Sequence, residues 1–139
     1  MKNLYLHIVT PVVILLSAFG FQNSFVDIVN AMKAGNSSQL AKHFDNYVEI
    51  SLPEKSNSYS KSQAEIIMKD FFSAVGVKGF EVKHKGENGG AQFCIGILQT
   101  KNRNYRTTLF LKQKGNKQVL QEIRVEGGEN AGRLEPTGF

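Results

Sequence analysis

Few side chains in this sequence could carry acid–base chemistry. His43 and His84 are the only histidines after residue 20, and alternation places His84 on the Val82 side of its segment. A histidine that acts as a general base needs an orienting partner and a position facing the substrate. With Asp45 and Tyr59, His84 would form the candidate set for acid–base chemistry in a pocket. Asp45 has a second interpretation, because an aspartate before a strand often caps a turn.

The sequence offers little for metal or nucleophile chemistry. His43 has no second histidine at a spacing such as H-x-x-x-H, so we predict no metal site and no cofactor. Cys94 is the single cysteine, which excludes a disulfide framework. In an apolar segment a lone cysteine is most often a small buried hydrophobe, whereas a catalytic thiol needs a neighbouring base. The sequence contains no G-x-S-x-G motif and no glycine loop of the phosphate-binding type.

Basic residues are concentrated in the C-terminal half. The 139 residues include 17 Lys and Arg against 12 Asp and Glu, a net charge of +5. This bias is too weak to indicate a nucleic-acid partner. Lysines on an edge strand also prevent sheet-to-sheet aggregation, which explains several of them without a function. The functional alternative is a basic face for an anionic glycan, a lipid headgroup or an acidic partner. Its candidate residues are Lys83, Lys85, Arg106 and Lys112.

The first 20 residues differ in kind from the rest. Lys2 is followed by an apolar stretch from Leu4 to Phe19, and the small residues Ala18 and Gly20 stand before Phe21. This pattern is typical of a secretory signal peptide, and about 16 apolar residues are short for a membrane-spanning helix. An uncleaved anchor is the alternative. Cleavage would leave sixteen basic against twelve acidic residues, a net charge of +4. We therefore expect an exported protein, periplasmic or extracellular, with three segments: a signal peptide at 1–20, one domain at 21–128 and a mobile tail at 129–139.

Two helices are predicted at the start of the domain. Apolar residues at helical spacing predict a helix from Ser24 to Lys33, and Gly35 ends it. The stretch Asn36-Ser37-Ser38 predicts the cap of a second, shorter helix whose apolar positions include Phe44. The same three residues form a glycosylation sequon, but the capping interpretation is the stronger one.

A strand and a third helix follow. Apolar and polar residues alternate from Tyr47 to Leu52, which predicts a half-buried strand, and Pro53 ends it. Residues 54–58 are polar and are predicted to form a loop. Ser60 marks the start of the third helix, which stops near Gly76.

The rest of the domain has the period of a sheet. Short breaks rich in Asn and Gly predict antiparallel hairpins. The predicted strands are Phe80–Lys85, Ala91–Thr100, Tyr105–Lys114 and Lys117–Glu126. The order α-α-β-α-β-β-β-β predicts an α+β fold in which the helices pack on one face of a curved antiparallel sheet.

One stretch carries a family resemblance. From His43 to Pro53 the chain has an aromatic–Asp pair and a strand that ends in proline, and Tyr59 and the paired aromatics Phe71-Phe72 follow. Together with the order of elements, this resembles the nuclear-transport-factor-2-like superfamily, a cone-shaped α+β fold of the cystatin-like type. The whole chain also resembles small exported bacterial proteins known only as a domain of unknown function.

The resemblance implies a pocket inside the cone, although the superfamily includes isomerases, dehydratases, hydrolases and binding modules. Its isomerase-like members carry a catalytic aspartate just before the proline, where this chain has Leu52, which cannot transfer a proton. Tyr47 could line the pocket or pack on the outer sheet face. The pocket candidates are Asp45, Tyr47, Leu52, Tyr59, Phe71, Phe72 and His84.

These observations favour an exported, non-catalytic binding or interaction module. Its partner would be a small apolar ligand inside a hollow cone or, if side chains fill the cone, an envelope protein or glycan. A small isomerase-like or dehydratase-like enzyme is the alternative. A homodimer is also predicted, through an apolar back of the strands that would include Cys94, Leu98, Phe110 and Leu120, unless the helices bury that side.

Overall fold

The computed structural model describes residues 23–127. The predicted signal peptide, its cleavage site and the predicted tail at 129–139 lie outside the described residues. None of the helices in the described range is long and apolar enough to cross a membrane. The elements are α1 (Asn23–Ala34), α2 (Ser37–Ala41), β1 (Phe44–Ser51), β2 (Ser56–Ser60), α3 (Lys61–Val75), β3 (Val77–Asn88), β4 (Ala91–Thr100), β5 (Asn104–Lys114) and β6 (Lys117–Glu126).

Capping side chains set where the helices begin and end. The side chain of Asn36 accepts a hydrogen bond from the backbone N–H of Gln39 at 3.0 Å, so it caps α2 as predicted. The Ser60 hydroxyl accepts one from the N–H of Gln63 at 3.4 Å and begins α3. Gly76 ends α3 with φ at 68°, a left-handed conformation that favours glycine.

The six strands form one mixed sheet in the order β2-β1-β6-β5-β4-β3. All neighbours pair antiparallel except β1 and β6, which are parallel, with Ile50 opposite Ile123. The predicted α+β class and order of elements are confirmed, whereas the expectation of a wholly antiparallel sheet misses this one pair. Hydrophobic alternation shows which residues are buried but not which strands are neighbours.

Three boundaries of predicted helices, strands and loops differ in the structure. Residues 56–60, largely inside the predicted loop, form β2 and pair with β1, because an edge strand is held by backbone bonds and needs no apolar side chains. Phe44, predicted on the second helix, begins β1 opposite Leu120. The strand predicted at Phe80–Lys85 extends from Val77 to Asn88, since its polar ends carry no alternation signal.

The helices cover one face of the sheet, which we call the inner face; the other is the outer face. A row of residues crosses four neighbouring strands on the inner face: Ile50, Ile123, Leu109 and Cys94. All four are buried, together with Ile28 and Met32 of α1 and Met68 of α3. Burying a large aliphatic side chain contributes about 1.5–3 kcal/mol to folding, so this row is a main source of stability.

The core shows whether the cone is hollow and whether the apolar back of the strands is exposed. Phe72, expected to line the cone, belongs to one packed cluster with Val48 and Leu111, so side chains occupy the cone interior. The predicted dimer surface is wrong for Cys94, Leu98 and Leu120, which are fully buried beneath the helices. Both sides of β4 are apolar, so its alternation could not show which side faces the helices. Phe110 lies on the outer face, opposite Phe93.

Candidate ligand-binding site

A pocket of about 490 Å³ opens at one end of the cone, and we call it the mouth pocket. It lies where the β1–β2 turn, the end of α3 and the β4–β5 turn meet. Its volume falls within the roughly 300–1,000 Å³ of small-molecule sites. It is lined by Leu52, Pro53, Glu54, Lys55, Phe71, Ala74, Val75, Asn102, Arg103 and Tyr105.

Backbone hydrogen bonds hold the first wall of the mouth pocket. The Leu52 N–H donates to the Lys55 carbonyl at 2.8 Å, and the Lys55 N–H donates back to Leu52 at 3.3 Å. This reciprocal pair closes the β1–β2 turn with Pro53 and Glu54 at its tip. Because proline fixes its own φ, the turn presents Leu52 to the pocket in a set position.

The opposite wall is the β4–β5 turn, which is tied both to itself and to α3. The N–H of Thr100 donates to the carbonyl of Arg103 at 3.2 Å, and the N–H of Arg103 donates to the Thr100 hydroxyl at 3.2 Å. The Lys101 N–H donates to the Gly76 carbonyl at 3.0 Å. These bonds fix Arg103 at the rim, next to the last turn of α3.

Aromatic rings form the floor. Phe71 and Tyr105 pack edge to face with ring centroids 5.6 Å apart, and both rest against the core. Offset and edge-to-face pairs of this kind contribute about 0.5–1.5 kcal/mol beyond the area they bury. A Cβ atom placed on Gly127 would lie 3.2 Å from the Tyr105 ring, so the chain after β6 passes close to this floor.

The mouth pocket has the chemistry of a binding site. Leu52, Phe71 and Tyr105 give it an apolar and aromatic wall, and Lys55 and Arg103 place two cations at its rim. Glu54 is the one carboxylate of the lining, and no histidine, cysteine or aspartate from the described range belongs to it. Leu52, at the position that the family resemblance assigns to a catalytic aspartate, cannot transfer a proton.

Asp45 lies at the other end of β1 from Leu52. It accepts hydrogen bonds from Lys114 Nζ at 2.7 Å and from Gln121 Nε2 at 3.0 Å. These two bonds, with the one from the Asn46 N–H, lower the pKa of Asp45 to about 2. Asp45 therefore links β1 to β5 and β6 and does not belong to the lining of the mouth pocket.

The other pocket candidates are spread across the molecule. Among the seven pocket candidates from the sequence, only Leu52 and Phe71 line the mouth pocket. Tyr47 is 69% exposed, and Phe72 is buried in the core. Tyr59 lines a separate depression of about 320 Å³ between β2 and α3.

His84 does not face the cone interior. The pairing of β3 with β4 shifts register between Val82 and His84, and His84 comes opposite Ile95. Its ring lies 5.7 Å from that of Phe93, on the outer face. A single extra residue reverses the side on which the following side chains lie, so the assignment from alternation was wrong. His84, Asp45 and Tyr59 therefore do not converge on one site.

The basic candidates do not form one face either. Lys83 pairs with Glu81 at 2.9 Å, and the Lys85 ammonium lies 4.8 Å above the Phe25 ring. Arg106 lies 3.9 Å from Glu126 on the outer face. The fourth candidate, Lys112 on β5, is exposed.

The remaining reactive groups lie apart from the pocket. Burial raises the pKa of the Cys94 thiol to about 11, so it carries no thiolate at neutral pH. Burial also lowers the pKa of His43, whose backbone carbonyl accepts the Leu120 N–H at 2.7 Å. Among residues 23–127, no three His, Cys, Asp or Glu side chains are grouped closely enough to hold a metal ion.

Sequence reasoning found two residues of the mouth pocket and missed Arg103 and Tyr105. Arg103 lies in one of the short breaks predicted to form hairpin turns, at Asn102-Arg103, and Tyr105 begins the predicted strand after it. The available signal was an aromatic residue directly after a turn, at the end where the proline-terminated strand also ends. This signal identifies the pocket only once it is known that β6 alone lies between β1 and β5, which brings the two turns close together.

Comparison with known proteins first gives the class of fold. An NTF2-like protein of unknown function from Cytophaga hutchinsonii shares 10% identity with this chain at a TM-score of 0.55, covering 74% of this chain and 85% of that one. The curved mixed sheet with its helices is thus of the nuclear-transport-factor-2-like type. More specifically, residues 25–126 match the family described as a domain of unknown function (DUF4783), and the chain belongs to that family.

Solved structures of the same family give a closer match. A DUF4783 family protein from Bacteroides uniformis is 36% identical at a TM-score of 0.71, covering 75% of this chain and 96% of that one. A second, from Bacteroides ovatus, is 32% identical at the same TM-score, covering 74% and 94%. No curated protein matches the chain.

Proposed function

We propose that this protein is a non-catalytic binding module that holds a small amphipathic anion in the mouth pocket. The carrying observation is the composition of the pocket, an aromatic and apolar wall beside a rim with two cations, Lys55 and Arg103, and one carboxylate, Glu54. A ligand with an apolar body would lie against Leu52, Phe71 and Tyr105. Its anionic group would face Arg103 and Lys55, because charge complementarity orients a ligand that apolar contact alone does not.

The packed core supports this proposal. Since side chains fill the cone, a ligand has room at the mouth and not deep inside. The walls are held by backbone bonds from three elements, so little ordering is needed on binding. Turnover is not proposed, because the groups that could have formed an acid–base set lie on different faces.

Export remains part of the proposal. The apolar segment at 4–19 and the small residues before Phe21 support a signal peptide and a periplasmic or extracellular location. The ligand would then be met outside the cytoplasm. The intact mass of the native protein tests this: a mass that begins near Phe21 is expected, and a mass that includes Met1 would contradict it.

A fluorescent anionic amphiphile, 1-anilinonaphthalene-8-sulfonate, is the probe for the mouth pocket. The test variant is Ala74→Glu, because Ala74 is exposed and lines the pocket, so a carboxylate there blocks the site without disturbing the core. Ser73→Glu is the matched control, since Ser73 is an exposed neighbour on α3 outside the pocket lining.

We expect saturable enhancement of the probe's fluorescence by the unaltered protein. Ala74→Glu should weaken binding about tenfold, because it adds both repulsion and bulk, and Ser73→Glu less than about twofold. Equal effects of the two substitutions, or no saturable binding, would contradict the mouth pocket as a ligand site.

A further inference from the structure

A second depression, of about 440 Å³, lies between α1 and β3 at the edge of the sheet, and we call it the edge groove. It shares no lining residue with the mouth pocket. The helix runs alongside the strand in the opposite direction, with Phe25 near Lys85 and Gly35 near Val77. The lining is Phe25, Val26, Val29, Asn30, Lys33, Val82, Lys83, His84 and Lys85.

The floor of the edge groove is apolar and open to solvent. Val26 of α1 is 53% exposed and Val82 of β3 is 37% exposed. They are two of the four large hydrophobic side chains that are exposed in the described range. Both line this one groove, so their exposure forms a local patch and is not scattered over the surface.

The charges around this floor have one sign. Lys33 and Lys85 lack an ion-pair partner among residues 23–127, whereas Lys83 is paired with Glu81. No carboxylate belongs to the lining. The Lys85 ammonium is held over the Phe25 ring, which fixes its position at the rim. The groove therefore complements a partner that is both negatively charged and apolar.

The backbone of β3 adds a third kind of contact. It is the last strand of the sheet and pairs with β4 on one side only. On its free side, β3 makes no backbone hydrogen bond to another residue of the described range. Such a row of N–H and C=O groups is a template for an additional strand.

We propose that the edge groove binds an extended acidic peptide segment of a partner protein, which adds to β3 as a seventh strand. Alternate side chains of a strand point to opposite sides. Val26, Val82, Lys33 and Lys85 all line the groove, so one set of alternate side chains would make both kinds of contact. Its apolar members would cover Val26 and Val82, and carboxylates between them would reach Lys33 and Lys85. We favour a peptide over an anionic lipid because only a peptide backbone also satisfies the free N–H and C=O groups of β3.

The probe is a fluorescein-labelled peptide of about eight residues, a typical strand length, in which every second residue is threonine and the residues between are glutamate and valine in turn. One set of side chains thus carries both the charges and the apolar contacts. Two control peptides are matched to it. One replaces every glutamate by lysine, which reverses the charge. The other has proline at the central valine and at the threonine next to it, which keeps the charge. Because adjacent N–H groups of a strand point to opposite edges, one of the two lost donors would face β3. Fluorescence anisotropy measures binding by the domain at low ionic strength.

On the protein, the double variant Lys33→Glu/Lys85→Glu reverses the charge at two positions on the rim of the edge groove. The control is Lys69→Glu/Lys112→Glu, which makes the same change in net charge at exposed sites outside the groove. We expect the groove variant to weaken binding of the acidic peptide by at least about fivefold, and the control by less than about twofold. Amides on the free side of β3 should exchange more slowly with solvent in the bound state.

Four outcomes would overturn the proposal. These are no binding of the acidic peptide at millimolar concentration, equal binding of the proline peptide, equal weakening by both double variants, and tighter binding to anionic phospholipid vesicles with the same dependence on Lys33 and Lys85. The last would make a membrane surface the partner. Ala74→Glu should leave the peptide affinity unchanged, so failure here is distinguishable from failure of the mouth pocket.

Discussion

The inner and outer faces of the sheet use the same strands in opposite ways. On the inner face, Leu109 and Ile123 are fully buried beneath the helices. On the outer face, the side chains are more polar and partly solvated, with Arg124 paired to Glu122 and stacked 5.4 Å from the Phe110 ring. The comparison shows that the main hydrophobic core lies on the inner side of the sheet, and that the outer side contributes less apolar burial.

Ile97 is an instructive exception on the outer face. It is 3% exposed although it lies outside the main core cluster. Its neighbours across the strands are Glu81 and Arg106. Long polar side chains can cover an apolar residue with their methylene groups while the charged ends stay in water. Burial of a sheet residue therefore does not by itself show that it faces the helices.

The largest contrast between the faces should come from two adjacent residues of β5. Leu109→Ala should lower the free energy of unfolding by about 2–5 kcal/mol, because it leaves a cavity in the core. Thr108→Ala, on the outer face of the same strand, should cost less than about 1 kcal/mol. Urea denaturation measures both, and similar losses would show that the core is not confined to the inner face.

Two glycines sharpen the same comparison. A Cβ on Gly96 would collide with the buried Phe80 ring and lie 2.8 Å from the Glu81 carbonyl oxygen. A Cβ on Gly86 would lie 2.6 Å from the Phe93 ring, which is half-buried on the outer face and has room to move. Gly96→Ala should therefore cost about 1–3 kcal/mol and Gly86→Ala clearly less. Thermal unfolding of the two variants decides this, and the reverse order would contradict it.

Asp45 is the polar link between β1 and its distant partners. Asp45→Asn should lower stability by about 1–2 kcal/mol at neutral pH, because a carboxylate bonded to Lys114 and Gln121 is lost. Asp70→Asn is the matched control, since Asp70 is exposed and makes no ion pair within residues 23–127; its effect should be near zero.

The pH dependence of this effect has a definite sign. The pKa of Asp45 falls from 3.8 to about 2 on folding, so its contribution is complete above about pH 5 and is lost as the pH falls towards 2. The stability difference between the unaltered protein and Asp45→Asn should be constant from pH 5 to 7 and shrink below pH 4. A difference that persists at pH 2 would contradict the assignment.

The smallest effect is expected on the outer face at Tyr47. Because its side chain is 69% exposed, Tyr47→Ala should change stability by less than about 0.5 kcal/mol. Thermal melts of the variant check this. A larger loss would indicate that Tyr47 covers part of the sheet in solution.

Much of the fold could be predicted because its signals are local. The caps at Asn36 and Ser60 and the bounds of β4 and β6 depend on neighbouring residues, and the structure has them as predicted. The position of Leu52 at the end of β1 likewise follows from the proline after it.

What could not be predicted depends on contacts between distant segments. The register shift before His84 is set by pairing with β4, so alternation along β3 alone misplaced the side chain. Arg103 and Tyr105 join Leu52 only because β6 places β5 one strand away from β1. The edge groove could not be predicted for the same reason, since Val26 and Val82 belong to elements that come together only in the folded chain.

The parallel pairing of β1 with β6 has a consequence for the kinetics of folding. Asp45 and Gln121, which bond across this region, are 76 positions apart in the chain. A newly synthesised chain must therefore complete β6 before β1 gains its second neighbour, and contacts at such separation slow folding because a long loop must close first. Until then the edge of β1 that pairs with β6 lacks its backbone partner, so this edge is open to pairing with other strands.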